Sequence, residues 1–238
     1  MNPQTQNPPG EAAIDQSTIQ SVAPDVASSQ GKGKLFEKAV NAHQAKTQLD
    51  AILGAVADHI GATVNSRVKD QDTAAKKIAQ KRMQGRDYDI EDVNDMLGAR
   101  LTMPSEKNFP KAKSAMEKLA GAGVFKINKQ QQVEDGTYKA YHFDVTLFNG
   151  TKAEIQLHTT KSEAEAVTNH SLRATAGENP GGVEEKLRNK QASIIKSMPN
   201  AQANAVSQTV QQLMKQNKNQ PIDPRITAQI LQQAQGAR

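Results

Sequence analysis

The stretch 138-YKAYHFDVTLFNGTKAEIQLH-158 is the feature that most constrains the fold, because it alternates polar and apolar residues along two successive segments. Successive side chains of a β-strand point to opposite faces, so the alternation predicts two strands that share one apolar face and one polar face. The intervening residues 148-FNG-150 are typical of a tight turn and predict a hairpin.

The register of this hairpin follows from keeping both apolar sets on one side. A two-residue Asn-Gly loop would place Glu154 opposite Val145, on the apolar face, which argues against that loop. A three-residue loop with Gly150 in the left-handed conformation pairs Leu147 with Thr151 and keeps the apolar sets together. The polar face then carries Tyr138, His142, Asp144, Glu154, Gln156 and His158.

This register also sets Asp144 directly opposite Glu154, and His142 opposite Gln156. A half-solvated sheet is the ordinary interpretation of such alternation, and a functional site is the alternative. The two carboxylates and the histidine become informative only together with motifs elsewhere in the chain.

The composition predicts one core with extensions. At 238 residues, a hydrophobic fraction of 36% and a mean hydropathy of -0.69 are low for a fully compact domain. Residues 1–30 contain no Lys or Arg but several Pro, Gln and Ser, so we expect a disordered leader over residues 1–32. Residues 177–238 are rich in Gln and Asn, and we expect a helical or partly disordered tail without a second core.

The charge balance favours phosphorylated ligands or nucleic acid, with a generic basic surface as the alternative. Residues 1–30 hold three acidic side chains, and removing these from the net charge of +5 leaves +8 on the remainder. The absence of Cys excludes disulfides and thiolate metal sites. We find neither a secretory signal nor an apolar run that could cross a bilayer, so we expect action in the cytoplasm without membrane contact. Delivery into a target cell and association with a phage remain open.

Residues 33–176 are expected to form the main domain. Periodicity predicts helices over about 33–61, 73–83, 107–121 and 161–173, and strands over 64–70, 97–103 and 124–128, ahead of the hairpin. Asp72 or Thr73 is the expected N-cap of the second helix.

Four short motifs occur in order along this domain: 67-RVKDQDTAAKK-77, 95-DMLGAR-100, 137-TYKAYH-142 and 154-EIQLHT-159. Their order and spacing resemble the synthetase domain of the RelA/SpoT family over roughly residues 45–172. The resemblance implies an α+β (α/β-type) fold: a nucleotidyltransferase-like mixed sheet flanked by helices, here with a helical C-terminal appendage. It also implies an ATP-dependent pyrophosphokinase that uses Mg²⁺.

The resemblance implies roles for the basic residues in binding ATP. Arg67 and Lys69 would hold the triphosphate, and Lys76 or Lys77 would assist together with Arg100. Cations suit this role because phosphoryl-group transfer is catalysed mainly by positioning and charge compensation.

The resemblance likewise implies roles for the polar face of the hairpin. Asp95 would bind Mg²⁺, since hard cations prefer carboxylate oxygen, and Glu154 would complete the metal site or accept the acceptor's hydroxyl proton. These two residues are the expected catalytic pair. Acceptor binding would fall to Tyr138, stacking on the base, and to His142, Gln156 and His158.

Two departures from the family pattern weaken the expected contacts with a phosphorylated guanosine. His158 stands where the family often has Arg, and the segment 128-NKQQQVEDG-136 supplies only Lys129 where a basic Pro-Lys run is common. A histidine is not obligatorily charged at neutral pH.

Three functions are therefore considered. The first is a synthetase of (p)ppGpp or its adenosine analogue (p)ppApp, acting as a housekeeping enzyme or as a toxin, with ATP and GDP, GTP or an adenine nucleotide as substrates. The second is a toxin that pyrophosphorylates the 3' end of tRNA. The third is a non-catalytic nucleotide-binding protein on the same fold. The oligomeric state is left open.

Overall fold

The computed structural model describes residues 14–135, 138–176, 183–217 and 222–236. The helices are α1 (Gln16–Val22), α2 (Pro24–Ala27), α3 (Ser29–Ile60), α4 (Gln71–Met83), α5 (Phe109–Gly121), α6 (Thr160–Ala176), α7 (Val183–Ser197), α8 (Asn200–Gln216) and α9 (Pro224–Gly236). The strands are β1 (Thr63–Val68), β2 (Leu97–Met103), β3 (Phe125–Asp135), β4 (Tyr138–Leu147) and β5 (Lys152–Thr159).

The strands form one mixed sheet in the order β1-β2-β5-β4-β3. Strands β2 and β5 run parallel, and the other neighbours are antiparallel. Helices lie on both faces: α3 and α5 pack on one, and α6 packs on the other. The expected α+β fold, a mixed sheet flanked by helices, is confirmed.

The β4–β5 hairpin has the register that the three-residue loop predicts. The Leu147 N–H donates to the Thr151 carbonyl at 2.9 Å, and Gly150 has φ of 83°. Asp144 pairs with Glu154, and His142 pairs with Gln156. A side chain at Gly150 would strain this left-handed backbone, so glycine fixes the loop length and with it the face on which each side chain lies.

The apolar face of the sheet contacts α3 and α5 and forms the main core. Phe143, Val145, Ile155 and Leu157 of the hairpin are fully buried there. Strand β2 adds Leu97, Ala99, Leu101 and Met103 at every second position. Period-two burial on neighbouring strands therefore builds one continuous apolar layer.

Two local predictions need correction. The third strand extends to Asp135 instead of ending near residue 128, because a register shift between Ile127 and Lys129 lets the polar segment continue its pairing with β4. Asp70, and not Asp72 or Thr73, caps α4: its carboxylate accepts the Thr73 N–H at 2.8 Å. The helix begins earlier than predicted, and the cap moves with it.

The expected disordered leader is wrong for residues 14–32, whereas residues 1–13 lie outside the described residues. Ile14, Ile19 and Val26 are 1% exposed and belong to the main core. The carboxylate of Asp25 also accepts two hydrogen bonds from the Arg82 guanidinium, at 2.5 and 3.0 Å. These few apolar side chains suffice to anchor a largely polar segment, because they point into the core.

Helices α7, α8 and α9 pack with α6 around a second cluster of buried side chains. That cluster contains Ala164, Val167, Ile195, Met198, Ala203, Val206, Val210, Ile222 and Leu231. The tail is helical as expected, but the expectation that it has no core of its own is wrong. Neither these helices nor any other in the described ranges is long and apolar enough to cross a membrane.

Candidate functional site

A cleft of about 190 Å³ lies between the polar face of the sheet and helices α6 and α8. The strands contribute Asn65, Ser66, Arg67, Gly98, Ala99, Arg100, Glu154 and Gln156, and Asp95 joins them from the turn before β2. The helices contribute Ala166, Val167, His170, Gln211, Met214 and Lys215. The cleft combines cations, carboxylates and an apolar wall.

Two rows of directly paired residues cross the strands beneath the cleft. Arg67, Gly98, Glu154 and Asp144 form one row, and Asn65, Arg100, Gln156 and His142 form the other. A Cβ atom added at Gly98 would meet nothing within 4 Å, so the missing side chain leaves space in the middle of the first row. That space separates the Arg67 cation from the Glu154 carboxylate.

Arg100 is held between β5 and α6. Its Nε donates to Gln156 Oε1 at 3.0 Å, and its Nη1 donates to Glu163 Oε1 at 3.2 Å. The Glu163 side chain is only 5% exposed. A buried carboxylate paired with a planar guanidinium fixes the direction of that group, because each hydrogen bond constrains the plane.

Asp95 lies between two lysines at the edge of the cleft. Its Oδ2 accepts from Lys69 Nζ at 2.7 Å and from Lys77 Nζ at 2.8 Å. Burial raises the pKa of Asp95, but the two ammonium groups outweigh it and hold the pKa well below its usual range. Burial lowers the pKa of Lys77, and the Asp95 charge more than offsets this. Asp95 and Lys77 are therefore both charged at neutral pH.

Glu154 is linked to two partners by hydrogen bonds at one oxygen. Its Oε1 accepts from His142 Nδ1 at 2.8 Å and from Gln156 Nε2 at 3.0 Å. The other ring nitrogen of His142 lies 3.0 Å from the Tyr138 hydroxyl, which can donate to it while Nδ1–H donates to Glu154. Burial raises the pKa of Glu154, but the hydrogen bond from His142, together with the positive charge of that ring when it is protonated, lowers it further than burial raises it.

His158 lies below this network and is fully buried. Its Nε2 is 3.1 Å from Gln156 Oε1, an acceptor, so Nε2 carries the proton and Nδ1 does not. Nδ1 faces Glu163 Oε2 at 3.8 Å, beyond hydrogen-bond distance. Burial lowers the pKa of His158 well below 6.5, and the charge of Arg100 lowers it further, as does the charge of His142 when that ring is protonated. The ring is therefore neutral at neutral pH.

Asp144 stands beside Glu154 in the first row. Burial raises the pKa of its carboxyl, and the neighbouring Glu154 charge raises it further. Like charges on directly opposed strand residues destabilise a sheet. The polar face thus carries an electrostatic cost at this pair.

Comparison with known proteins identifies the domain. Residues 66–178 match the family model described as the region found in RelA and SpoT proteins. The chain carries a RelA/SpoT-family domain. None of the curated proteins compared with the chain matches it significantly.

Solved structures share the fold over most of this chain. Small alarmone synthetase 1 from Bacillus subtilis superposes with a TM-score of 0.52 and 21% identity, over 76% of this chain and 96% of its own. A GTP pyrophosphokinase family protein from Streptococcus pneumoniae gives 0.50 and 17%, over 81% and 96%. A Streptococcus mutans UA159 protein gives 0.51 and 19%, over 80% and 96%. These likenesses establish the fold.

Five residues singled out by the RelA/SpoT motifs line the cleft together: Arg67, Asp95, Arg100, Glu154 and Gln156. Four more reach it through contacts. Lys69 and Lys77 bind Asp95, and His142 and Tyr138 extend from Glu154. Sequence motifs therefore selected residues that the fold does bring to one place.

Three of these residues differ from their expected surroundings. Lys76 lies on α4 but is not among the residues that line the cleft. The Tyr138 residue is 8% exposed, which leaves little of its ring for stacking on a base in this conformation. His158 is buried under the polar face and contacts Gln156 instead of the cleft. Their roles in nucleotide binding stay predictions.

Sequence reasoning missed several residues of the site. Glu163 and His170 lie on α6, and Gln211, Met214 and Lys215 lie on α8. The spacing from Glu163 to His170 is two helical turns, which would place both on one face of α6 once the helix is assigned. Nothing in the Gln-rich stretch around α8 distinguishes Gln211 from its neighbours.

Proposed function

We propose that the chain is an ATP-dependent pyrophosphokinase that transfers the β,γ-pyrophosphate of ATP to a nucleotide 3'-hydroxyl, making (p)ppGpp or (p)ppApp. The observation that carries the proposal is the cleft in which Asp95 and Glu154 lie with Arg67 and Arg100. Membership of the RelA/SpoT family supports a pyrophosphokinase-type transferase. Small alarmone synthetase 1 from Bacillus subtilis, solved with its product pppGpp, shares the fold with a TM-score of 0.50 and 19% identity.

In the proposed reaction, the acceptor's 3'-oxygen forms a bond to the β-phosphorus of ATP. The bond from that phosphorus to the α,β-bridging oxygen breaks, and AMP leaves. Arg67 and Arg100 would compensate the negative charge on the transferred group and orient it. Arg100 suits this role because Gln156 and Glu163 fix its plane.

Glu154 is the proposed acceptor of the hydroxyl proton. Its hydrogen bond with His142 favours the ionised form, and Gln156 donates a second hydrogen bond to the same oxygen, which helps to orient the carboxylate. The Tyr138 hydroxyl, bonded to the far nitrogen of His142, fixes the ring's tautomer. The pairing of β4 with β5 brings His142 and Gln156 next to Glu154 and so positions the proposed base.

The donor atoms of Asp95 and Glu154 fit Mg²⁺. Asp95 Oδ1 is buried and accepts no hydrogen bond from the described residues, and carboxylate oxygen is the ligand that Mg²⁺ prefers. Mg²⁺ commonly binds one or two carboxylates together with substrate phosphates, so no larger cluster of protein ligands is required. Bound there, Mg²⁺ would offset the charge of the triphosphate. Lys69 and Lys77, which both donate to Asp95 Oδ2, would balance the charge of that carboxylate.

The experiment is a transfer assay with Mg²⁺ and ATP labelled in the γ-phosphate. GDP, GTP, adenine nucleotides and deacylated tRNA are offered in separate reactions, and label on the acceptor is compared with AMP release. We expect one acceptor to gain label in equal amount to AMP. Transfer to tRNA alone would replace the alarmone product with the translation-inhibiting alternative.

Glu154→Gln separates catalysis from binding. It keeps the shape and a hydrogen-bonding group but removes the base, so we expect transfer to fall by about 100- to 10,000-fold while ATP still binds. Glu117→Gln is the control, because Glu117 is an exposed residue of α5 on the opposite side of the sheet. ATP binding without transfer to any acceptor, in the unaltered protein, would favour the non-catalytic alternative.

A further inference from the structure

One wall of the cleft comes from outside the RelA/SpoT region. The matched residues end at 178, whereas Gln211, Met214 and Lys215 of α8 line the cleft opposite the strands. These three residues occupy the last turns of the helix, which ends at Gln216. We call residues 211–216 the α8 cover.

The covered cleft is smaller than its proposed substrates. Its volume is about 190 Å³. Sites for single drug-sized ligands measure roughly 300–1,000 Å³, and the proposed reaction needs a nucleoside triphosphate and an acceptor nucleotide together. The cleft in this conformation therefore encloses less space than two nucleotides occupy, and movement of one wall would enlarge it. The strands are held by their ladders, so α8 is the element to consider.

The Gln211 side chain of the α8 cover forms hydrogen bonds with both neighbouring elements. Gln211 Nε2 donates to Glu163 Oε1 on α6 at 2.8 Å, and Gln211 Oε1 accepts from Asn65 Nδ2 on β1 at 3.0 Å. Asn65 itself lines the cleft, and Glu163 also holds Arg100. A nucleotide that contacts Asn65 would thus compete directly with Gln211.

The two halves of α8 are held differently. Ala203, Val206 and Val210, before the cover, are buried in the second apolar cluster. Within the cover, Gln211 and Met214 are partly exposed and Lys215 is exposed. Fully buried apolar side chains anchor the first half. The second half is held by the hydrogen bonds of Gln211 and by Leu213 and Met214, which pack against the same cluster but are only half-buried. The end of the helix is therefore held less tightly than its beginning.

We propose that the α8 cover closes the nucleotide cleft, that Gln211 holds it closed, and that substrate binding displaces it. The inference rests on the proposed function for the identity of the substrates. If a ligand binds only the open form, its apparent dissociation constant rises as the fraction of open molecules falls. By the same linkage, loosening the cover strengthens nucleotide binding.

The first test substitutes Gln211 and measures binding of a non-hydrolysable ATP analogue by calorimetry. We expect Gln211→Ala to lower the dissociation constant by about 3- to 10-fold, since it removes two hydrogen bonds of the closed form. Gln211→Glu should lower the dissociation constant further, because the carboxylate of Glu163 would repel the new carboxylate and so disfavour the closed form. Gln212→Ala is the matched control: Gln212 is exposed and lines no part of the cleft.

The second test holds the cover closed. The chain contains no Cys, so an Asn65→Cys, Gln211→Cys double variant has two unique thiols that a short, reducible bifunctional reagent can join. The same sample is measured before joining, after joining and after reduction. We expect joining to weaken analogue binding at least 10-fold and reduction to restore it.

The outcomes separate the two proposals. Analogue binding that changes as expected, in a protein that transfers no pyrophosphate, supports the cover and contradicts the proposed function. Weaker binding by Gln211→Ala would overturn the cover and make α8 a fixed part of the binding site. The cover would also be overturned if Gln211→Ala bound the analogue as Gln212→Ala does and if the joined and reduced samples of the double Cys variant bound it equally.

Discussion

Alternating residues of the same strands meet different surroundings on the two faces of the sheet. On one face, Phe143 and Ile155 are fully buried against apolar neighbours from α3 and α5. On the other face, Glu154 accepts hydrogen bonds from His142 and Gln156, and the Asp144 carboxyl lies beside it on the neighbouring strand. The apolar face contributes stability through area removed from water, whereas the polar face keeps charged groups close at some cost.

The two faces of the sheet connect to different parts of the chain. The apolar face of the sheet extends to the N-terminal helices, since Ile19 and Val26 join the same core. The polar face extends to the C-terminal helices through the hydrogen bond between Asn65 and Gln211. Substitutions on the two faces should therefore differ in the sign, size or pH dependence of their effect on the free energy of unfolding.

The largest expected effect is on the apolar face. Phe143→Ala removes a fully buried ring from the centre of the sheet and should lower the free energy of unfolding by about 3–5 kcal/mol. Chemical unfolding followed by circular dichroism measures it. Phe148→Ala, at the hairpin turn where the residue is 71% exposed, is the control and should change little. Equal losses in both variants would contradict the assignment of the faces.

The second prediction tests the packing of the N-terminal helices against α3. A Cβ atom at Gly31 would press against the Asp25 carbonyl oxygen and lie 2.7 Å from Val26 Cα. Gly31→Ala should therefore lower the free energy of unfolding by about 1–3 kcal/mol. The Gly33→Ala control, with open space at its Cβ, should raise it by about 0.5–1 kcal/mol. A stabilising Gly31→Ala would show that α2 does not pack there.

The third prediction concerns the cost of the polar face. Asp144→Asn removes the repulsion between two opposed carboxylates and should raise the free energy of unfolding at pH 7 by about 0.2–1 kcal/mol. A raised carboxyl pKa in the folded state means that its destabilisation grows as pH rises above the usual value of 3.8. The gain should thus fade in acid. A loss of stability at pH 7 would indicate that the Asp144 charge is needed structurally.

The smallest effect at neutral pH is expected for His158, and it appears on acidification. Its lowered pKa means that the unfolded chain binds a proton that the folded state refuses, so stability falls as pH drops below about 6.5. His158→Gln should make the unfolding free energy less dependent on pH between 7.5 and 5. The exposed His43 supplies the control variant, His43→Gln. Parallel pH curves for the unaltered protein and His158→Gln would refute the prediction.

Local rules predicted much of the sheet. Strand β2 was predicted with its observed bounds, 97–103, and the Gly150 turn gave the observed Asp144–Glu154 pairing. Both depend on backbone geometry within a few residues. The same rules failed at the N-terminal segment, where polar composition suggested disorder although Ile14 and Ile19 are buried. Composition averages over a segment, whereas burial depends on the direction of a few side chains.

The candidate site was likewise predicted only in part from the sequence. Motif order selected Arg67, Asp95, Arg100 and Glu154, all of which line one cleft. It did not reveal that Lys69 and Lys77 would pair with Asp95, because that depends on the packing of α4 against the turn before β2. Nor did it reveal the buried partner Glu163, whose importance comes from the side chains around it.

The sequence by itself determined which side chains share the polar face, because period-two alternation and a glycine turn fix strand faces locally. Only the tertiary structure decided what covers that face. Gln211 lies 146 residues from Asn65 along the chain, yet their side chains are hydrogen-bonded. Contacts at such separation depend on how α6 and the C-terminal helices pack, and no local pattern encodes that arrangement.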